Sequence, residues 1–286
     1  MVFKSLSYPE GKIVGQAPDS VLAGALIPIE IRVTIEEEIE PRALRVELVG
    51  EETYYVRSHS KHSASIRHQD YAFATITHTV AEQPALSPGV EQKWNCSLQI
   101  PSDALPSCRG KWVDIRWTLK AVLDVSKRID LSLAKTLQVF CPPPKISNMP
   151  VLPAEKAFGQ VALSLKAPQA VTAGNALKGQ LALQIKEKLD IRGIRIELVQ
   201  AEDAQARKAD QVISTVQVSG EAIFNQNESP SFEFALDVPA GAPPTAVCKN
   251  SNLRWKVRAV IDRKMKTDFN VEQQLFVHNA PKLTDK

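Results

Sequence analysis

Pro101-Ser102-Asp103-Ala104-Leu105-Pro106, followed by Asp114-Ile115-Arg116-Trp117-Thr118-Leu119-Lys120-Ala121-Val122-Leu123-Asp124, decides the fold because it occurs twice. The second copy reads Pro239-Ala240-Gly241-Ala242-Pro243-Pro244, then Asn252-Leu253-Arg254-Trp255-Lys256-Val257-Arg258-Ala259-Val260-Ile261-Asp262. Trp117 and Trp255, Asp124 and Asp262, and Val139 and Val277 are each 138 residues apart. Self-similarity at a fixed spacing sets architecture, and a domain-sized period means a duplicated domain, not a solenoid. Upstream the repeat continues at an offset of 150: Ala23-Gly24 answers Ala173-Gly174, and Arg45-Val46-Glu47-Leu48-Val49 answers Arg195-Ile196-Glu197-Leu198-Val199. The first copy therefore carries about twelve extra residues, placed between Glu51 and Asp70 by the match of Val80-Ala81-Glu82 to Ser219-Gly220-Glu221.

Alternation dominates both copies. Ile27, Ile29, Ile31, Val33 and Ile35 share one face, with Glu30, Arg32, Thr34 and Glu36 on the other. Val113, Ile115, Trp117, Leu119, Ala121 and Leu123 do the same, as do Leu253, Trp255, Val257, Ala259 and Ile261, and Phe232, Phe234, Leu236 and Val238. A period of two marks strands with one wet face, and many short ones predict antiparallel sheets packed as sandwiches. Ala201–Asp210 is rich in helix formers but lacks an apolar stripe, so a short helix or a polar loop is expected there. Trp117 and Trp255, at equivalent inward positions, are expected core anchors.

The 286 residues suffice for two domains, and 44% hydrophobic with 23% charged residues are globular values. No apolar run is long enough to span a membrane, and Met1–Ser7 lacks the apolar core of a signal peptide. A cytoplasmic protein, at most peripheral to a membrane, is expected. Cys96, Cys108, Cys141 and Cys248 are scattered without a Cys-x-x-Cys spacing, which suits reduced thiols. A net charge of +3, split as −1 over residues 1–143 and +4 over 144–286, lacks the basic bias of nucleic-acid binding. Cys141-Pro142-Pro143-Pro144, continuing to Pro150 and Pro153, reads as a semi-rigid linker. The expected domains are residues 1–143 and 158–286, joined by 144–157.

These elements, in this order and twice over, resemble the arrestin fold. Ala43-Leu44-Arg45-Val46-Glu47-Leu48-Val49-Gly50 is similar to the family's "I-x-L-x-G" strand. Leu98-Gln99-Ile100-Pro101-Ser102-Asp103-Ala104-Leu105-Pro106-Ser107 is similar to its "F-x-L-x-I-P-x-x-L-P-S" hinge, and Ile115 to Asp124 to its "W/Y-x-L-x-A-x-L-D" strand. The second copy departs from the pattern at Gln200, where a glycine would stand, and at Pro243-Pro244. The resemblance covers nearly the whole chain and implies an all-β protein of two tandem arrestin-type, immunoglobulin-like antiparallel β-sandwiches. It also implies cargo sorting or signalling by protein binding. No Pro-Pro-x-Tyr motif of the α-arrestin branch is present. Val2-Phe3-Lys4-Ser5 is similar to the start of receptor arrestins, whose lysine pair reads phosphates; of that pair Lys4 alone is here, a phosphate-binding candidate by resemblance and a surface lysine by residue type.

Candidate partner-binding residues fall in two places. The insertion carries Tyr54, Tyr55, Arg57, His59, His62 and Arg67, contact-prone residue types on what reads as a polar loop; its histidines lack the tight ligand spacing of a zinc site. The row Arg254, Lys256 and Arg258 could face an acidic tail, a phosphopeptide or an anionic lipid surface, against the plainer expectation of pairing with Glu233, Asp237 or Glu197; the expected partner is another protein's extended peptide or cytoplasmic tail. No nucleophile elbow, phosphate loop, zinc-protease helix or kinase signature appears, so no catalytic residue, metal or cofactor is expected. The expected function is a non-catalytic adaptor or scaffold that binds other proteins, in trafficking or signalling. The alternatives are an arrestin-like sporulation or stress regulator, and a metal-dependent enzyme using the histidine-bearing insertion.

Overall fold

Every odd-numbered side chain from Ile27 to Ile35 is buried, as the alternation requires of a strand that packs one face on a core. The computed structural model describes residues 8–59, 64–142 and 153–279. Among them the chain forms 21 strands and no helix.

In the first sandwich one sheet holds β1 (Gly11–Gln16), β3 (Leu26–Ile35) and β6 (Gln92–Gln99), in the order β1-β3-β6. The facing sheet runs β2 (Ser20–Leu22), β9 (Leu131–Phe140), β8 (Asp114–Val125), β4 (Pro41–His59), β5 (Ala64–Glu82), with β7 (Cys108–Arg109) paired to β8. The second sandwich repeats this plan. One sheet is β10 (Ala154–Ala157), β11 (Val161–Lys166), β13 (Ala176–Ile185) and β18 (Ser231–Asp237). The other is β12 (Ala170–Thr172), β21 (Phe269–His278), β20 (Asn252–Asp262), β15 (Gly193–Ala204) and β16 (Arg207–Ser219), with β19 (Ala246–Val247) paired to β20. A two-stranded ribbon, β14 (Leu189–Ile191) with β17 (Ala222–Phe224), completes it. Pairing is antiparallel except at β2–β9 and β12–β21, equivalent places where the chain crosses between sheets and joins alongside the last strand.

Register repeats along with topology. Gly50 lies opposite Trp117 and Gln200 opposite Trp255. Both tryptophans are buried, and both indole N–H groups donate to the chain twelve residues back: Trp117 to the Leu105 carbonyl at 2.9 Å, Trp255 to that of Pro243 at 3.0 Å. A buried Trp needs such an acceptor, which explains why Pro243 can replace Leu105: only its carbonyl is used. Phe73 packs edge-on to Trp117 at 5.4 Å across Gly50, where a Cβ would come within 2.6 Å of the Phe73 ring.

Two expectations are corrected. Ala201–Asp210 is neither helix nor loop: it is the end of β15, a tight turn at Gln205 (φ 60°), and the start of β16. Pairing along the whole hairpin overrides local helix propensity. The insertion is likewise not a loop. It lengthens the β4–β5 hairpin, with pairing from Thr53↔Asp70 to His59↔Ala64. Most of the expected linker lies outside the described residues, while Ala154–Ala157 at its end form the edge strand β10. All four cysteines are free thiols.

Candidate docking ridge at the domain seam

Two glutamates on inward-facing positions of equivalent strands reach across to the other sandwich. Glu52 on β4 is fully buried; its carboxylate accepts hydrogen bonds from the Asn250 backbone N–H at 3.0 Å, the Asn250 Nδ2 at 2.9 Å and the Ser251 hydroxyl at 2.7 Å. Glu202 on β15 accepts from the backbone N–H groups of Lys111, Trp112 and Val113 at 2.9, 2.7 and 3.0 Å, and from Gln200 Nε2 at 2.7 Å. The offsets are those of the repeat: Glu52 answers Glu202 at 150, and Trp112 answers Asn250 at 138. Each carboxylate thus caps the turn before the long central strand of the opposite domain. Buried carboxylates need such donors. Gly110 makes the second clamp possible, since a Cβ there would lie 2.5 Å from Glu202 Oε2. Gln200, the departure from the family glycine, has a use here as a donor to Glu202.

Above the clamps the turns of the two sandwiches meet in an aromatic and cationic ridge. The Tyr55 carbonyl accepts from the Ala206 N–H at 2.9 Å, and the Tyr55 ring meets Trp112 edge-on at 5.6 Å. Arg207 and Lys111 both lie over the Trp112 ring, at 4.8 and 5.2 Å, and Lys249 lies over Tyr71 at 4.8 Å. Arg207 Nε is buried without a hydrogen-bond partner among the described residues. The lengthened hairpin continues the ridge: Tyr54 donates to Gln69 at 2.7 Å, and Arg57 and Arg67 stand exposed beyond it. The hairpin has no acidic residue between Glu52 and Asp70. On the flank of the seam an open cleft of about 550 Å³ is lined by Arg109, Asp114, Arg116, Gln138, Pro243 and Asn279.

The candidate residues therefore separate. Tyr54 and Tyr55 lie at the seam, whereas Arg57 and Arg67 lie further along the hairpin, on opposite faces of it (Arg57↔Ile66, Val56↔Arg67). His59 lies at the end of β4. His62 and Lys4 fall outside the described residues. The row on β20 is mostly engaged: Lys256 pairs with Asp210 at 2.9 Å and Glu272 at 3.1 Å, and Arg258 with Glu197 at 2.7 Å. Arg254 stands exposed with no carboxylate partner among the described residues. Glu233 and Asp237, expected as partners, lie on β18 in the opposite sheet; the true partners are Glu197 and the unanticipated Asp210 and Glu272. Burial pushes the Glu197 carboxyl up, but its bonds from Arg195 and Arg258 outweigh this and hold it below its ordinary value.

Sequence reading missed Glu52, Glu202, Trp112 and Arg207. A signal existed for the glutamates. Leu44, Val46, Leu48, Gly50 and Glu52 share one parity, as do Ile194, Ile196, Leu198, Gln200 and Glu202, so a carboxylate falls on the core face in both copies. Among the described residues no group of His, Cys, Asp and Glu side chains could hold a metal ion, and no helix is long and apolar enough to cross a membrane. An open concavity of about 730 Å³ between Lys166, Lys178, Gly179 and Phe234 gathers no catalytic set among its lining residues.

Tandem sandwiches of this topology, packed through their equivalent turns, are the architecture of an arrestin-fold protein. The family model described as "Arrestin (or S-antigen), C-terminal domain" matches residues 19–144, the first sandwich, and the one described as "SpoOM protein" matches residues 157–284, the second. The chain belongs to the arrestin-like superfamily. A search of curated proteins found no match.

Proposed function

We propose that this arrestin-like chain is a non-catalytic adaptor that captures an acidic, extended segment of a partner protein along the seam ridge. The observation that carries the reading is the set Arg57, Arg67, Lys111, Arg207 and Lys249. None has a carboxylate within ion-pair distance among the described residues, and three of them are spread over aromatic rings. Cations held over aromatic faces keep their outward N–H groups for an incoming anion. Recognition on turns carried by a rigid scaffold is the usual arrangement, and the two carboxylate clamps supply the rigidity. Arg254 is a secondary contact candidate. The match of the second sandwich to the SpoOM model favours one further reading, a sporulation- or stress-control regulator, which would also act by binding.

The test is fluorescence anisotropy with a labelled poly-glutamate peptide and a neutral control of equal length. The wild type should bind the acidic peptide in a salt-dependent manner. Replacing Lys111 and Arg207 by alanine, or Arg57 and Arg67 by alanine, should weaken binding at least about tenfold. Affinity capture from the native cell with the same variants then identifies the partner. No binding by the wild type at low salt, or equal binding by both double variants, sinks the reading.

A further inference from the structure

At the poles farthest from the seam, the two sandwiches end in equivalent turns of opposite charge. The turns have the same build. The Glu36 N–H donates to the Glu10 carbonyl at 2.9 Å, and the equivalent Lys186 N–H donates to the Gln160 carbonyl at 2.8 Å. Lys127 and Met265 occupy matching positions in the β8–β9 and β20–β21 turns, with positive φ of 57° and 54°. On this common frame charge changes at several positions, while Glu37 and Glu40 keep an acid as Glu187 and Asp190. Glu36 and Glu38 become Lys186 and Lys188, Glu10 becomes Gln160, and Ser126 becomes Lys264.

Exposed charge follows. Glu10, Glu36, Glu38 and Glu40 are exposed on the first pole and have no cation within ion-pair distance among the described residues; Glu37 alone is bonded to Arg128. On the second pole Lys186, Lys188, Lys264 and Lys266 are exposed and have no carboxylate within ion-pair distance among the described residues; Glu187 and Asp190 are exposed there too. That pole is braced. Arg263 donates to Gln160 Oε1 at 3.2 Å and to the Thr267 carbonyl, and lies 3.6 Å over the Phe269 ring; Gln160 Nε2 donates to the Lys188 carbonyl at 3.2 Å. Three turns are thereby tied into one surface. Met265 stands at its apex, 96% exposed, the most exposed large apolar side chain among the described residues.

We infer that the basic pole of one copy docks on the acidic pole of a second copy, giving head-to-tail assembly. Charge complementarity selects this partner: the four unpaired glutamates of one pole outnumber its exposed Lys127, and the four unpaired lysines of the other outnumber its exposed Glu187 and Asp190, on the same turn geometry. Like poles repel, so a symmetric pole-to-pole dimer is disfavoured, whereas opposite poles form a heterologous contact that repeats from copy to copy. The contact would cover Met265, whose exposure otherwise leaves apolar surface in water. The inference is independent of the peptide-binding ridge, which lies at the waist between the poles.

Sedimentation velocity over a concentration series tests it, at about 20 mM and about 500 mM salt, where the screening length falls from roughly 20 Å to roughly 4 Å. The wild type should associate at low salt and be monomeric at high salt. K186E/K188E, with two acidic poles, and E36K/E38K, with two basic poles, should each be monomeric at low salt. Their equimolar mixture should associate again, which no folding defect could produce. Met265→Ser should weaken self-association roughly tenfold. A wild type that stays monomeric at low salt, or single-pole variants that associate like it, overturns the inference. So does a monomeric wild type that binds phosphatidylserine vesicles through Lys186 and Lys188, since the basic pole would then be a lipid site.

Discussion

The first sandwich draws its core from its own strands alone, whereas the apolar cluster of the second takes in Cys108, Val113 and Ile115 from the first. Strand order, register and the buried tryptophans are shared, and the two glutamate clamps are reciprocal. The apolar side of the seam is not. The row Cys108–Ile115–Glu52 faces the second sandwich and merges with it, while Phe73 bridges to the first core. The difference teaches that duplication copied a frame, after which one corner of the first domain became part of the second domain's interior. A seam built this way holds the two sandwiches in a set relation.

The largest expected effect separates the two cores. Trp117→Ala and Trp255→Ala should each cost about 3–5 kcal/mol in chemical denaturation, as truncation of a buried aromatic does. Only Trp255→Ala should also lower hydrogen-exchange protection of the Lys111–Val113 amides, because only that tryptophan belongs to the cluster that includes the seam. Equal loss of protection in both variants would mean that the seam belongs to neither core.

The clamps should rank next. Glu202→Ala leaves three backbone N–H groups without an acceptor, and these cannot turn away. Glu52→Ala orphans one backbone N–H and two side-chain donors that can rotate toward water. Losses of about 3 kcal/mol and about 2 kcal/mol are expected respectively, from the cost of buried unsatisfied donors. The reverse order in urea titrations would show that the reciprocal clamps are not set by donor type.

A smaller effect probes the sheet face of the second sandwich. The Glu197 carboxyl is held below its ordinary value of 4.5. A depressed folded-state value contributes stability that is present above the unfolded value and lost as pH falls through the folded one. Glu197→Gln should therefore be less stable than wild type by about 1 kcal/mol at pH 7, a figure discounted for partly exposed arginine partners. The gap should close well below pH 4.5. A gap that persists in acid would mean that Glu197 acts by packing and not by charge.

The smallest effect concerns the one hairpin that differs in length. Replacing Arg57–Arg67 by a two-residue turn removes exposed pairing only, so stability should change by no more than about 0.5 kcal/mol. Poly-glutamate binding should nevertheless fall. A large loss of stability would show that the extension braces the fold instead of serving a partner.

The sequence alone determined the duplicated domain, the all-β class, the strand faces and the two tryptophan anchors. All of these follow from period-two alternation and fixed offsets, which local sterics translate directly into strands with one buried face. It also offered Tyr54, Tyr55, Arg57 and Arg67 as candidate contact residues, on an expected loop that the structure replaces with a paired hairpin. Only the tertiary structure decided what the glutamates do. Glu202 meets donors about ninety residues away and Glu52 about two hundred, and most of Glu202's donors are backbone N–H groups, which every residue but proline possesses. No residue pattern marks such a partner. The same holds for Ala201–Asp210, whose helix-forming composition yielded to strand pairing, and for Lys256 and Arg258, whose acids come from strands that only the sheet brings alongside. Local periodicity is written in the chain; which buried charge meets which distant backbone is settled when the two sandwiches close on each other.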